Sequence, residues 1–275
     1  MSRNVGTTSR GIRCPIIKQG DDLAKIVVDS VIEASKTDKF EFHDKDVIAV
    51  TESVVARSQG NYAKVEDIAT DIKAKFGENQ TIGVIFPILS RNRFSIMLKG
   101  IAKGAKKIVL MLSYPSDEVG NKLVSDEDII KNNINPYSDV LDLKKYRELF
   151  GYKVHEFTGV DYVAYYEEIV RGQAADFEVV FSNSPETILN FTKNVIACDI
   201  HTRSFTKMRL EKAGAKKVIG LDNILSKSIN GSGYNEKYGL LGSNKASEES
   251  VKLFPRDAQS LCDDIQKIML EKTGK

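Results

Sequence analysis

The stretch FEVVFSNSPETILNFTKNVIACDIHTRSFTKMRLEKAGAKKVIGLD, residues 177–222, decides the predicted fold because strand-like and helix-like segments alternate along it. Three runs, FEVVFS, NVIACDI and AKKVIGLD, are short and rich in β-branched residues, which favours buried strands. The segments SPETILNFTK and FTKMRLEKAG between them have a helical pattern. Because the connections are short, the strands are predicted to be parallel, with the helices crossing over between them.

The same alternation is present further upstream. TIGVIFPIL predicts a strand, RFSIMLKGIAKG a helix that ends at glycine, and AKKIVLML another strand. GDDLAKIVVDSVIEAS predicts an amphipathic helix with Asp21 and Asp22 in its first turn, and residues 47–50 predict a buried strand. The last segment, RDAQSLCDDIQKIMLEK, predicts a helix. The predicted fold class is α/β, with α+β as the alternative, built from mixed, mainly parallel sheets with flanking helices.

The middle of the chain, residues 122–156, is polar and rich in asparagine, and it predicts a mostly helical insertion. We expect two α/β lobes, residues 1–115 and 116–275, with the boundary placed from pattern alone. The 40 basic and 38 acidic residues nearly cancel. No broad basic surface is therefore expected for nucleic acid, and a small molecule is the expected ligand.

The cysteines and the apolar runs predict a cytoplasmic protein. The three cysteines are far apart and lack CxxC spacing, which is typical of reduced thiols. The first fifteen residues lack the apolar core of a secretory signal, and no apolar run is long enough to cross a bilayer. HExxH and GxSxG are both absent, which argues against zinc and serine hydrolases.

The loop DIHTRSFTK follows a predicted strand and is the first candidate site. Ligands of open parallel sheets collect at the carboxyl ends of the strands. There Asp199 could hold a hard cation, and Arg203 could bind a phosphate or carboxylate through two donors, with Thr202 between them. The alternative is that Asp199 caps the following helix and Arg203 is solvated. Cys198, inside the apolar run, is predicted to be a buried, inert thiol.

Three further loops contain candidates. Ser184, in SNSPET, either caps the next helix or leaves its N–H groups free for an anion. SYPSDEVGN offers Asp117 and Glu118 as metal ligands or as an ordinary acidic turn. The long loop INGSGYNEKYGLLGSNKAS contains Gly231 and Gly233, which fit either a phosphate clamp or a flexible lid.

Two N-terminal segments carry a resemblance to a known family. GIRCPIIKQGDDLAKIVVDSVIEA, residues 11–34, and DKDVIAVTESVVARSQGNY, residues 44–62, resemble in order and spacing the signature segments of the glutamate ligases of the coenzyme F-420 pathway. The resemblance implies nucleotide or phosphate contacts for Arg57 and Gly60. It also marks departures: Ala56, Arg57, Gln59 and Asn61 stand where the family has serine, lysine, glutamate and arginine.

Two later segments extend the resemblance. TGVDYV and VIACDIHTRSF are similar to the family's two acidic segments, which places Asp161 and Asp199 on metal-binding acids and Arg203 on an arginine. Ile200 and Thr202 replace the family's threonine and glycine. The family implies a two-lobed fold, a homodimer, GTP as co-substrate and two divalent cations.

The resemblance predicts an acid–amino-acid ligase of the GTP-dependent gamma-glutamyl type. It would use GTP or ATP with Mg²⁺ or Mn²⁺ to join glutamate to a carboxylate-bearing cofactor or metabolite. The alternative is a diverged, non-ligase protein that binds a nucleotide or a phosphorylated metabolite. A third reading, based on the even charge balance, is a structural or interaction protein.

Overall fold

The computed structural model describes residues 6–275 and divides into two compact units. Met1–Asn61 and Pro255–Lys275 belong to the smaller unit, and Tyr62–Phe254 forms the larger one. Residues 1–5, part of the segment predicted not to be a secretory signal, lie outside the described residues. In the part of the chain that is described, no helix combines the length and apolar character that a membrane span requires.

The secondary structure alternates along most of the larger unit. The helices are α1 (Leu23–Asp38), α2 (Glu52–Ser58), α3 (Val65–Phe76), α4 (Phe94–Lys103), α5 (Asp126–Lys131), α6 (Leu143–Phe150), α7 (Tyr162–Arg171), α8 (Arg203–Lys212) and α9 (Ala258–Thr273). The strands are β1 (Tyr62–Lys64), β2 (Thr81–Ile85), β3 (Lys107–Leu112), β4 (Leu141–Asp142), β5 (Asp176–Phe181), β6 (Asn194–Ala197), β7 (Lys217–Gly220), β8 (Asn244–Ser247) and β9 (Ser250–Lys252). Two 3-10 helices span Pro185–Asn190 and Leu221–Asn223.

The smaller unit packs α1 against α9, and both helices lie where the sequence predicts them. The side chain of Asp22 accepts a hydrogen bond from the Lys25 N–H at 3.0 Å, which caps α1. Val28 of α1 is fully buried, and Ile265 and Met269 of α9 belong to the same apolar cluster. Helices from opposite ends of the chain therefore share one core.

The prediction of a buried strand at residues 47–50 is wrong. These residues form no strand, and Val47 is 88% exposed. Ile48 and Val50 are half-buried against the apolar cluster of α1 and α9. Because no strand in the described part of this unit pairs with the segment, its apolar residues cover helices on one side and face solvent on the other.

The larger unit contains a six-stranded sheet with the strand order β4-β5-β3-β2-β6-β7. All neighbouring pairs are parallel except β4 and β5, which places the single antiparallel strand at one edge. A second sheet, β1-β9-β8, is small and antiparallel. The predicted α/β class and the mainly parallel strands are confirmed.

The parallel strands are apolar on both faces because helices cover both. Ile82, Val84 and Ile196 pack into one cluster with residues of α3, α4 and α7. Ile85 and Ala197 pack into another, which contains Leu210 of α8 and Ile188 of the Pro185–Asn190 helix. Successive residues of β6 therefore point alternately toward α4 and toward α8, which decides the surroundings of the loop that follows.

The segment SPETILNFTK forms a short 3-10 helix, not the α-helix that its pattern predicts. Ile188 on this helix lies directly over Gly83 of β2, where an added Cβ would be only 2.5 Å from Ile188 Cγ1. The connection from β5 to β6 therefore packs closely against the sheet, in a space that suits the tighter 3-10 helix. The prediction that residues 122–156 are mostly helical is wrong, because α5 and α6 cover fewer than half of these residues and the rest is irregular except for the unpredicted edge strand β4.

The predicted lobes, 1–115 and 116–275, stay a prediction. Position 115 lies inside the larger unit, where β2 and β3 precede it and β5, β6 and β7 follow it in one sheet.

Candidate functional site

Asp199 lies just beyond the carboxyl end of β6 and is 1% exposed. Its Oδ2 accepts hydrogen bonds from Thr202 Oγ1 at 2.7 Å and from Thr206 Oγ1 at 2.8 Å. Its Oδ1 is buried and has no hydrogen-bond partner among the described residues. A buried carboxylate oxygen without a partner is costly, and it favours a site where a cation or a donor from a ligand completes the set.

The backbone after Asp199 already binds a negatively charged group. The N–H groups of Ile200 and His201 both donate to the carboxylate of Glu118, the latter at 3.1 Å. Glu118 lies in the loop after β3, so the structure brings together two of the predicted loops. The two N–H groups precede α8, where the helix dipole also favours an anion.

Arg203 holds this loop in place through contacts within the chain. Its Nη1 donates to the carbonyl oxygens of Asp199 at 3.2 Å and Ile200 at 2.8 Å, and its Nε lies 3.0 Å from Asp222 Oδ1 in an ion pair. Gly220 makes room for it, since a Cβ there would be 2.5 Å from Arg203 Cδ. Most donors of this guanidinium are therefore directed at protein atoms.

Asp161, the other predicted metal acid, lies at the start of α7. Its Oδ1 accepts from the N–H groups of Val163 at 3.0 Å and Ala164 at 3.1 Å, and its Oδ2 is 2.8 Å from Arg147 Nη1. α7 packs on α4 and β5, whereas Asp199 follows β6, and β3 and β2 lie between β5 and β6. The two acids share no hydrogen-bond or ion-pair partner among residues 6–275.

The remaining candidates in the strand-end loops have structural contacts. Asp117 is 6% exposed and accepts from the N–H groups of Leu89, Val119 and Asn121, so it organises two loops. Ser184 donates to Glu186 Oε2 at 2.8 Å and makes no helix cap.

The glycine-rich loop is fastened to the larger unit. The N–H of Gly233 donates to the Tyr62 carbonyl at 2.7 Å, and the N–H of Leu240 donates to the Leu221 carbonyl at 3.0 Å. Gly231 adopts a positive φ of 80°, which glycine tolerates best, and a Cβ there would meet open space. Its backbone is thus accessible, whereas that of Gly233 is engaged.

The predicted contacts in the smaller unit, Arg57 and Gly60, lie at the end of α2. Arg57 is exposed, and its side chain has no partner among the described residues. Gly60 adopts a positive φ of 61°, and a Cβ there would be 2.3 Å from the side chain of Gln19. The backbone conformation and the close contact with Gln19 therefore require glycine at position 60.

A small cavity of about 30 Å³ lies on the α4 side of the sheet, and Cys198 and Ile200 line it. Arg93 and Ser243, which the sequence did not single out, line it as well. Cys198 and Ile200 flank Asp199 and point away from α8, as the alternation along an extended chain requires. The sequence could have indicated Arg93, because the segment SRNR, residues 90–93, follows β2 and places arginines near the carboxyl end of a central strand.

Cys198 is a buried thiol, as predicted, and it is 1% exposed. Burial, with the nearby charge of Asp199, raises its pKa well above the ordinary range. A thiolate nucleophile is therefore disfavoured at this position. Tyr162 and Tyr166 of α7 belong to the core, so these rings pack inside the protein.

No group of three or more His, Cys, Asp and Glu side chains in the described part of the chain forms a preassembled metal cage. Mg²⁺ commonly binds through one or two carboxylates, with water and substrate phosphates completing its shell. The free oxygen of Asp199 fits that pattern, while Asp161 already neutralises Arg147.

Comparisons with known proteins give one strong match. The family model described as "F420-0:Gamma-glutamyl ligase" matches residues 11–275, which is nearly the whole chain. No curated protein matches. Among solved structures, "Crystal structure of eIF2B beta from Chaetomium thermophilum" matches at 10% identity with a TM-score of 0.31, over 62% of this chain and 43% of that chain. The chain thus spans less than half of that protein.

Proposed function

The chain belongs to the F420-0:gamma-glutamyl ligase family, and from that premise we propose that it joins L-glutamate to a carboxylate-bearing acceptor at the expense of GTP or ATP. The observation that carries the proposed site is the loop after β6. In it, the free buried oxygen of Asp199 lies one residue before two N–H groups that bind a carboxylate. A cation-binding acid next to an anion-binding backbone suits a nucleotide bound with a divalent metal.

In the proposed reaction, an acceptor carboxylate oxygen attacks the terminal phosphorus of the nucleotide, forming an acyl phosphate and releasing the nucleoside diphosphate. The amine of glutamate then attacks the acyl carbon, a proton leaves the nitrogen, and inorganic phosphate departs. Mg²⁺ or Mn²⁺, when bound, would neutralise phosphate charge. The residue that would hold it is Asp199, because Asp161 is paired with Arg147 at the start of α7 and shares no partner with Asp199 among the described residues.

The remaining residues position these groups. Thr202 and Thr206 fix the Asp199 carboxylate, so that its other oxygen faces the ligand. The N–H groups of Ile200 and His201 would bind a phosphate oxygen in place of Glu118, which stands where the anion is expected. Arg203 keeps this backbone in place through its bonds to the carbonyl oxygens of Asp199 and Ile200.

The test is ligation by the purified protein supplied with GTP or ATP, Mn²⁺ or Mg²⁺, L-glutamate and a deazaflavin acceptor, with mass spectrometry of the acceptor. We expect a glutamyl adduct that Asp199→Asn abolishes. Asp176→Asn is the matched control, because Asp176 is exposed at the amino end of β5. Nucleotide with Mn²⁺ at 100 times its Kd should raise the melting temperature by about 5–10 °C in the wild type and the control. The absence of both adduct and nucleotide binding would refute the proposal.

A specific observation favours the alternative of a nucleotide-binding protein that has lost ligase activity. Gln59 and Asn61, which depart from the family pattern, hold Arg256: Gln59 Oε1 accepts from its N–H at 2.8 Å, and Asn61 Oδ1 accepts from its Nη1 at 3.2 Å. Gln59 and Asn61, at positions that are charged in the family, therefore hydrogen-bond within this chain to Arg256. Thermal stabilisation by nucleotide without an adduct, for any amino acid supplied, would support this alternative.

A further inference from the structure

The mostly apolar cavity beside Cys198 contains two side chains that can bind an anion, Arg93 and Ser243. Arg93 lines it, is exposed, and has no hydrogen-bond or ion-pair partner among the described residues. It also precedes α4, a ten-residue helix whose first turn has no side-chain cap. In the first turn of α4 the Ser95 N–H donates to the Ser90 carbonyl at 3.1 Å. A free guanidinium at a helix N-terminus that lacks a side-chain cap favours a negatively charged ligand.

Ser243 supplies an independent observation that points to a ligand. It lines the same cavity and is 0% exposed, and its Oγ has no hydrogen-bond partner among residues 6–275. A buried hydroxyl of this kind destabilises the fold unless a ligand pairs with it. Arg93 and Ser243 are 150 positions apart in the sequence, and both reach the carboxyl edge of the sheet.

The size of the cavity indicates the kind of anion. Its volume of about 30 Å³ accommodates roughly two water-sized atoms. The two oxygens of a carboxylate fit this space, and the guanidinium and hydroxyl are suitable donors for them. The apolar lining, with Phe94, Met97 and Leu221, suits the methylene group next to a carboxylate.

We propose that Arg93 and Ser243 form a subsite for a carboxylate of the amino-acid substrate, on the α4 side of the loop that carries Asp199. The inference rests on the proposed ligase function and adds to it the binding residues for glutamate. Asp199 serves the nucleotide on the α8 side, while its neighbours Cys198 and Ile200 line the carboxylate subsite. The two substrates would thus meet across one strand end.

The test measures binding of L-glutamate and inorganic phosphate by calorimetry, separately from ligation. Arg93→Gln should weaken glutamate binding about 10- to 100-fold. Arg91→Gln, in the same loop but outside the cavity, is the matched control and should leave it unchanged. Ser243→Ala should weaken binding about 3- to 10-fold and yet raise the melting temperature of the ligand-free protein, because it removes an unpaired buried hydroxyl.

The outcomes separate this subsite from the proposed function. Glutamate binding that depends on Arg93, without any adduct, would support the subsite and count against ligation. Ligation with unchanged glutamate affinity in Arg93→Gln would overturn the subsite and leave the ligase proposal standing. Loss of phosphate binding alone in Arg93→Gln would assign the cavity to the nucleotide, and no glutamate binding by the wild type would also overturn the inference.

Discussion

Replacing Thr206 with valine tests whether a buried hydrogen-bond set holds Asp199. Thr206 is 4% exposed, and its Oγ1 donates to Asp199 Oδ2 at 2.8 Å. Valine keeps the β-branched shape and nearly the same helix propensity, so the substitution removes essentially one hydroxyl. Thr202→Val is the matched control, because Thr202 donates to the same oxygen at 2.7 Å from an exposed position.

The two variants should differ in magnitude for a physical reason. A hydrogen bond to a charged group contributes about 1.5–3 kcal/mol, and no water easily replaces the buried Thr206 donor. The added methyl group returns up to about 0.8 kcal/mol if it fits. Thr206→Val should therefore lower the free energy of unfolding by about 1–2 kcal/mol. Water can replace the exposed donor, so Thr202→Val should cost about 0.5 kcal/mol or less.

The assay is urea unfolding followed by circular dichroism, with the free energy taken from midpoints at a constant m-value. Nucleotide titration with Mn²⁺ provides a second measurement, since a misplaced Asp199 carboxylate should weaken metal-dependent binding. Equal losses of stability in the two variants, or a smaller loss in Thr206→Val, would refute the argument that burial of the donor holds this acid.

Two further predictions concern packing and pH. Gly100→Ala should destabilise the larger unit by about 1 kcal/mol in urea unfolding. The new Cβ would lie 2.6 Å from Ile68 Cβ, and an overpacking cost of about 2 kcal/mol exceeds the gain of about 1 kcal/mol in helix propensity. An unchanged midpoint would contradict this prediction. Burial, with the nearby charge of Asp139, raises the pKa of Tyr114 from 10.0 to about 12, so its contribution to stability is present below pH 10 and is lost between pH 10 and 12. Stability curves measured over that range should fall by up to about 1.4 kcal/mol per pH unit from this residue, and a Tyr114→Phe variant with the same slope as the wild type would exclude it as the cause.

Local patterns in the sequence account for most of the elements. Leu23–Asp38 and Ala258–Thr273 are helices because their apolar residues recur at helical spacing, and Asp22 caps the first of them. The strands of the parallel sheet are short β-branched runs between helices, and they are parallel as predicted. The signature segments of the family, residues 11–34 and 44–62, could also be recognised in the sequence, because they occur in the family's order and spacing.

Contacts between distant parts of the chain were decided by the tertiary structure alone. Residues 47–50 have a strand-like composition but no neighbouring strand to pair with, and periodicity does not report the missing partner. The Glu118 carboxylate meets the N–H groups after Asp199 only because β2, which lies between β3 and β6, brings both strand ends to one edge.

The sequence by itself determined an α/β fold, its parallel strands and Asp199 as an acid at a strand end. It did not determine that Asp199 faces α8 while its neighbours face α4, or that Arg93 and Ser243 line one cavity. The physical reason is that strand and helix propensities depend on near neighbours, whereas a binding site is assembled from side chains that converge when the chain folds.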